Sequence, residues 1–200
     1  LDYKLREELR DEIPRIFRES GAIFVYATTE PEEALLLGGN TATLSEGRVT
    51  QFGPAPDVYR RPLNVTTARV FSDPPMNFSP CRKTVSEIHF KQGGEIPALG
   101  NLGDAAEGEY LAGFRANHLL IDKPEGPALA LKCQLVASEL TGSETFLHLQ
   151  QGDKRWVALI HGIRNIAAGS EVALWLKPEH FYLFDTQGQL AVQAAYAAAA

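Results

Sequence analysis

The chain has 200 residues, 44% of them hydrophobic and 22% charged, a composition typical of a globular protein with room for two small domains. Its formal net charge of -6 disfavours a nucleic-acid partner, because phosphate binding needs a surplus of Lys and Arg on one face. Cys81 and Cys133 lie far apart in the chain, so the sequence predicts neither a zinc site nor a disulfide framework and fits a reducing compartment.

No apolar run approaches the roughly 18 residues that span a bilayer, so we expect membrane association only through a partner. Leu1 opens neither a signal peptide nor a native start, and we expect the chain to begin inside a domain. Residues 1–20 carry apolar side chains at steps of three and four, which predicts an amphipathic helix that ends at Gly21.

The next segment has the pattern of a parallel α/β domain. Residues 23–27 form a continuous apolar run, which predicts a strand buried on both faces of a parallel sheet. A hydroxyl, a proline and acids in residues 28–33 predict a helix start, and Gly38 ends that helix. Residues 41–44 and 48–52 then predict a hairpin.

The second half has a different pattern, with short apolar or alternating runs separated by Gly, Pro and polar turns. Such runs predict an antiparallel β-sandwich or small barrel. A Pro-rich joint at residues 73–75 separates the two patterns, and few contacts are expected to cross it. We therefore predict boundaries that give a first region over residues 1–75, a barrel over 76–190 and a low-complexity tail over 191–200, to which no function is assigned.

Two segments of the barrel, residues 115–122 and 177–185, echo one another, each with a basic residue and a histidine flanking a tight turn before an apolar strand. We predict that His118 and His180 are turn histidines bonded to nearby backbone. No metal site is expected, because neither histidine has a Cys or carboxylate cluster beside it in sequence.

Five stretches in order, residues 1–6, 23–35, 44–53, 57–62 and 71–78, resemble the C-terminal portion of the ATP-binding subunits of carbohydrate-type, maltose-importer-like ABC transporters. The resemblance implies an α/β remnant of an ABC ATPase domain followed by an all-β, OB-like regulatory barrel of the TOBE type. It further implies a subunit of a bacterial sugar or polyol importer that couples ATP binding and hydrolysis to transport. Such a subunit is cytoplasmic and lies on the inner face of the cell membrane.

Three residues of the first region take roles from the resemblance. Asp2 matches the D-loop at the ATPase dimer interface, although from the residues alone it is a helix N-cap. Thr29 stands at the position of the switch histidine, and Glu30 replaces the family's aspartate beside the nucleotide. A hydroxyl donates one hydrogen bond to a phosphate but lacks the titratable contact of an imidazole, which puts efficient hydrolysis at this site in doubt.

Four residues of the barrel are carried over in the same way. Arg115 and His118 match the family's R-P-E-H segment, and Gly142 and Glu144 match the turn before a strand, with a regulatory and not a catalytic role. The resemblance also implies permease subunits and a second ATPase subunit, identical or related, as partners. A dimer through the barrel is expected, supported by the apolar run that includes Trp156, Val157, Leu159 and Ile160.

No G-x-x-x-x-G-K-[ST] phosphate loop occurs in the 200 residues. We therefore expect ATP and Mg²⁺ to be cofactors of a longer parent ATPase and neither to be bound by these residues alone. The alternative is a non-enzymatic barrel that binds a small oxyanion or a regulatory protein, and a phosphate loop encoded upstream would decide between the two. A nucleic-acid-binding barrel is disfavoured by the acidic balance and by the lack of paired aromatics on adjacent strands. No residue of this sequence identifies the transported substrate.

Overall fold

The computed structural model describes residues 12–16 and 19–198. Residues 12–16 and 19–20 are helical, in agreement with part of the predicted amphipathic helix. The prediction for Asp2 lies outside the described residues.

The strand predicted over residues 23–27 is not formed, and this prediction was wrong for the chain as it stands. Residues 21–28 have no regular secondary structure, and Ile23 and Val25 are 97% and 96% exposed. A strand buried on both faces needs a neighbouring strand on each side and helices above and below. The sheets of the described residues offer no strand beside this segment.

The helix and hairpin that follow agree with the sequence. Helix α1 spans Pro31–Leu37, with a proline and two acids in its first turn and Gly38 at its end with a φ of 68°. Strands β1 (Asn40–Ser45) and β2 (Arg48–Pro54) pair antiparallel as the predicted hairpin.

Two short helices, α2 (Ala55–Arg60) and α3 (Val65–Val70), connect the hairpin to the barrel. The Asn64 side chain caps α3, because its Oδ1 accepts a hydrogen bond from the backbone N–H of Thr67 at 2.8 Å. Its Nδ2 donates to the carbonyl of Thr50 at 3.0 Å, which ties the start of α3 to the hairpin.

The rest of the chain is antiparallel β-structure, as predicted. A six-stranded sheet has the order β12-β11-β6-β3-β4-β5, and a four-stranded sheet has the order β10-β7-β8-β9. The strands are β3 Asn77–Lys83, β4 Glu87–Phe90, β5 Glu95–Pro97, β6 Gly108–Phe114, β7 Leu129–Leu140, β8 Glu144–Gln151, β9 Lys154–His161, β10 Glu171–Leu176, β11 Tyr182–Phe184 and β12 Leu190–Val192.

The two sheets enclose one apolar core. Alternate residues of β7 and β8 face inward, and Phe114 of the six-stranded sheet meets Trp156 of the four-stranded sheet edge to face at 5.2 Å between ring centroids. Asn77 joins the sheets through two bonds to the backbone of Val157, at 2.8 and 2.9 Å. This core is large enough to bury Trp156 and Ile160, which are only 2% and 8% exposed.

The outer face of the six-stranded sheet carries a second apolar cluster. Its buried members are Ala68, Met76, Tyr182, Phe184, Ala194 and Ala197. Helix α3 and the C-terminal helix α4 (Ala195–Ala198) cover this face. The expectation of few contacts across residues 73–75 was therefore wrong, because a sheet with two apolar faces needs a second cover. The boundaries at residues 75 and 190 stay a prediction.

Among the described residues, no helix has the length and apolar character that crossing a bilayer requires.

Candidate functional site

The two echoing segments meet in the structure. Each forms one turn of 3₁₀-helix, over Ala116–His118 and Pro178–His180. The imidazoles of His118 and His180 stack with centroids 4.0 Å apart and planes 20° apart. The ring of Tyr196 stands edge-on to His118 at 4.3 Å. The internal repeat thus brings both histidines to one place, beside a residue of the C-terminal helix.

Arg115 lies at the centre of this cluster and is 3% exposed. Its Nη1 donates to Ser72 Oγ at 3.0 Å and its Nε donates to Tyr196 Oη at 3.0 Å. Its Nη2 donates to the backbone carbonyl of Tyr59, and the guanidinium carbon lies 3.6 Å from the centroid of the Tyr59 ring. Three separate stretches of chain therefore hold one buried cation.

No carboxylate forms an ion pair with Arg115 within residues 12–16 and 19–198. Burial of an unpaired charge is costly unless hydrogen bonds and dipoles replace its water. Here neutral acceptors and an aromatic face do so, and the Tyr59 carbonyl belongs to the last turn of α2, where the helix dipole is negative.

Tyr182 supports the same helix end. Its hydroxyl donates to the backbone carbonyl of Arg60 at 3.0 Å and lies 2.9 Å from the hydroxyl of Tyr196. Burial raises the pKa of Tyr182 well above its usual value, so the phenol stays neutral. Arg115 and Tyr182, one from each repeat, thus together bind the carbonyls that end α2. We call the set Tyr59, Ser72, Arg115, His118, His180, Tyr182 and Tyr196 the arginine joint.

The histidines of the arginine joint are held neutral. Burial lowers the pKa of His118 to about 3, and the neighbouring His180 and the Arg115 guanidinium lower it further, because a proton on His118 would be repelled by positive charge at either group. Burial also lowers the pKa of His180. The backbone N–H of each histidine bonds to the carbonyl three residues earlier, as expected for turn histidines. Their buried Nδ1 atoms have no hydrogen-bond partner in the described part of the chain.

The residues matched to the nucleotide side lie elsewhere. Thr29 is exposed at a bend, and Glu30 is the exposed residue that precedes α1, without a side-chain capping bond. The neighbouring Thr28 is bonded instead: its hydroxyl donates to Glu33 at 2.6 Å and accepts from the N–H of Glu30 at 2.9 Å. The structure therefore does not bring Thr29 or Glu30 into contact with the arginine joint.

The remaining predicted pair flanks the turn between β7 and β8. Gly142 has a φ of 90°, a backbone conformation that favours glycine, and nothing packs against it. Glu144 begins β8, with Oε1 3.5 Å from His161 Nδ1. Both residues shape an exposed turn on the four-stranded sheet.

Sequence reasoning missed Tyr59, Ser72, Tyr182 and Tyr196. The echo of residues 115–122 in 177–185 was the available signal for Tyr182, whereas Tyr196 was hidden in the alanine-rich tail. The apolar run offered for dimerisation was misjudged, because Trp156 and Ile160 are core residues. The exposed apolar side chains of the four-stranded sheet and its ends are instead Val136, Leu140 and Ile163.

Comparison with known proteins matches residues 112–184 to the TOBE domain. The chain is 31% identical over 189 residues to the sn-glycerol-3-phosphate import ATP-binding protein UgpC of Ruegeria sp. (strain TM1040), covering 94% of this chain and 52% of that protein. It is 28% identical over 219 residues to the multiple sugar-binding transport ATP-binding protein MsmK of Streptococcus mutans serotype c, covering 96% of this chain and 56% of that protein. The chain therefore spans about half the length of these relatives.

Among solved structures, the cytoplasmic molybdate-binding protein ModG aligns with 54% of this chain and 94% of its own, at 15% identity and a TM-score of 0.41. The TOBE match and the two import relatives confirm the resemblance drawn from the sequence. The relatives are ATP-binding subunits of sugar-type ABC importers, and this chain corresponds to a C-terminal portion of them that contains a TOBE domain.

Proposed function

We propose that this chain, as a C-terminal portion related to the ATP-binding subunits of sugar ABC importers, transmits and regulates the coupling of ATP hydrolysis to transport. The observation that carries the proposal is the 94% of the chain that aligns with one such subunit, with the TOBE domain inside the aligned part. The importer would be bacterial, and its cargo a sugar or polyol.

In this proposal the chemistry belongs to a longer parent ATPase. ATP and Mg²⁺ would be bound by the phosphate loop and acidic residues of that parent, none of which occurs in these 200 residues. Asp2 would take part in the dimer interface. Thr29 and Glu30 would face the γ-phosphate once the segment of residues 23–27 is covered by a parallel sheet. The exposure of Ile23 and Val25 supports this, because an apolar segment of this kind needs such a cover.

Within the chain, the arginine joint would transmit movement. Arg115 and Tyr182 hold the end of α2, and α3 packs on the same sheet, so a displacement of the hairpin reaches the barrel through rigid contacts. His118 would act as a positioning residue, because its ring packs against both Tyr196 and His180. Gly142 and Glu144 would shape a regulatory surface away from this joint.

The partners in this proposal are a second ATPase subunit, identical or related, and the permease subunits, on the cytoplasmic face of the membrane. Self-association would occur through the barrel, whose exposed apolar side chains include Leu140 and Ile163, at 57% and 69% exposure. Light scattering of the chain at micromolar concentration tests this step. A monomer mass alone would count against a barrel dimer.

The decisive experiment compares this chain with the protein encoded by its complete reading frame. The longer protein should bind a fluorescent ATP analogue with Mg²⁺ and restore growth on a carbohydrate when expressed with its permease, and the 200-residue chain should do neither. A reading frame without a phosphate loop upstream of Leu1 would overturn the proposal. It would favour the alternative, a non-enzymatic barrel that binds an oxyanion or a regulatory protein.

A further inference from the structure

A row of charged side chains crosses the outer face of the six-stranded sheet. The register pairs Arg82 of β3 with His89 of β4, and His89 with Glu95 of β5. Glu87 lies two residues before His89 on the same strand and hence on the same face. One imidazole therefore has a carboxylate beside it along the strand and another across it.

The distances bring the three side chains of Glu87, His89 and Glu95 together. Nδ1 of His89 lies 3.1 Å from Oε2 of Glu95, and Nε2 lies 3.4 Å from Oε2 of Glu87. One potential ligand atom from each side chain lies within 4.8 Å of the other two. Tetrahedral coordination with bonds of ~2.0–2.2 Å places ligand atoms ~3.3–3.6 Å apart, so the carboxylates must move roughly 1 Å closer together to share one ion.

The scaffold beneath the three side chains is fixed. On the inner face of the same strands, Ile88 and Ile96 are 0% and 1% exposed, so the two backbones cannot separate without opening the core. The ligating side chains themselves are half-exposed, at 44% for His89, 45% for Glu87 and 60% for Glu95. They therefore have room to rotate onto a common ion while the strands hold their positions.

We propose that Glu87, His89 and Glu95 form a binding site for a borderline divalent cation of the Zn²⁺ class. A single imidazole nitrogen and one oxygen from each carboxylate would bind the ion, and water would fill the open position. Because an ion takes only one nitrogen of the ring, the carboxylate on the opposite side rotates toward it when the ion binds. Mg²⁺ is excluded in practice, since it prefers oxygen ligands and keeps its water.

The charge around the site is compatible with a cation. Arg82 is the neighbouring positive group, and its Nε lies 3.8 Å from Oε1 of Glu109 on the side away from His89. The two buried cysteines offer no competing thiolate, because burial raises the pKa of Cys81 to about 12 and that of Cys133 to about 11.

The chain supplies its own matched control. His148 on β8 is half-exposed like His89, but its Nε2 lies 3.0 Å from Oε1 of Glu139 and it has one carboxylate beside it in place of two. If surface His–Glu pairs bound metal in general, binding would be detected at both His89 and His148. If binding requires three ligands, it will be detected only at His89.

The experiment is a calorimetric titration of the tag-free chain with ZnCl₂, with MgCl₂ as a parallel arm. We expect one Zn²⁺ per chain, binding weakened at least ~10-fold by His89→Gln or by Glu95→Gln, no change in His148→Gln, and no matching Mg²⁺ uptake. Addition of Zn²⁺ should also shift the imidazole NMR resonances of His89 before those of His148. Absence of a stoichiometric Zn²⁺ site, or equal affinity in His89→Gln, would overturn the proposal. Equal urea unfolding of all variants excludes misfolding as the cause.

Discussion

The guanidinium carbon of Arg115 lies 3.6 Å from the centre of the Tyr59 ring, although the two residues are separated by the joint at residues 73–75. At this distance a desolvated cation interacts favourably with the aromatic face. The same guanidinium donates to the Tyr59 carbonyl, so one side chain holds both the ring and the backbone at the end of α2. Arg115 is thus one of the polar links between the first region and the barrel, together with Tyr182 and with the backbone hydrogen bonds from Val65 to Gly188 and from Leu190 to Leu63.

The first prediction concerns this link. Arg115→Met keeps much of the volume but removes three donors, and leaves the Tyr59 carbonyl and the hydroxyls of Ser72 and Tyr196 with fewer partners. We expect the free energy of unfolding to fall by about 3 kcal/mol, as for lost hydrogen bonds to a buried charge. Urea unfolding measures it. Arg82→Met is the control, because its side chain is 72% exposed and should change stability by less than about 0.5 kcal/mol.

Much of the barrel could be predicted from the sequence, because alternation of apolar and polar residues is a local signal. Strand β8 shows it clearly, with alternate residues buried from Thr145 to Gln151. The hairpin and α1 were also predicted, from turn residues and from a proline with acids. The family resemblance followed from the order of such pieces.

The arginine joint could not be predicted, because its contacts join residues far apart in sequence. Arg115 and Tyr59 are 56 residues apart, and Arg115 and Tyr196 are 81 apart. No periodicity marks such pairs. The prediction of a strand over residues 23–27 was wrong because a local pattern is not sufficient for burial. The pattern is that of a buried strand, but burial depends on neighbouring strands that the described residues do not contain.

The second prediction concerns acid. The pKa of His118 is about 3 in the folded chain, whereas an imidazole in the unfolded chain has a pKa of ~6.5. Between these two pH values the unfolded chain binds a proton on His118 that the folded chain does not bind. The free energy of unfolding therefore does not depend on the titration of His118 above pH ~6.5. As the pH falls from there to about 3, it decreases by about 1.4 kcal/mol per pH unit. His180, whose pKa is also lowered, adds loss of the same sign.

Urea unfolding at pH 7.5 and at pH 5 measures this loss in the wild-type chain and in His118→Gln, which removes the titrating ring but keeps a polar side chain of similar reach. The variant should lose less stability between the two pH values than the wild type. Equal losses would show that His118 does not titrate on unfolding. His161→Gln is the control, because its side chain is 86% exposed.

The third prediction concerns the boundary at residue 75. A piece over residues 76–200 lacks Tyr59, Ser72 and α3, and so leaves Arg115 without two partners and uncovers Met76 and Phe184. We expect its free energy of unfolding, measured with urea, to be about 2–4 kcal/mol lower than that of a piece over residues 55–200.

A piece over residues 31–200 is the control for that comparison. It lacks only the segment in which Ile23 and Val25 are almost fully exposed, and should be as stable as the whole chain. Equal stability of the 76–200 and 55–200 pieces would show that the barrel folds independently, as the Pro-rich segment at residues 73–75 suggests. It would also show that the arginine joint contributes little to the free energy of unfolding.

The fourth prediction concerns Thr29 in the longer parent protein. If Thr29 stands at the switch position, as the resemblance implies, a pair of identical copies lacks the switch imidazole at both nucleotide sites. Loss of one transition-state contact of this kind costs ~10²–10³ in rate. Thr29→His should then raise ATP turnover of the parent alone by a comparable factor. In a pair with a related subunit that keeps its histidine, turnover of the wild-type protein should already be high, because one competent site sustains it. We favour this mixed pair, since the rest of the sequence keeps the family's pattern.

The measurement is ATP turnover of the full-length wild-type and Thr29→His proteins, each alone and with the related subunit encoded beside it. Thr28→Ser is the matched control, because it keeps the hydroxyl that bonds to Glu33 and changes only a methyl group next to the tested position. Rapid turnover by the wild-type protein alone, unimproved by the histidine, would show that Thr29 supports hydrolysis as it stands. The argument for a mixed pair would then lose its basis, because no defect would need a second subunit to offset it.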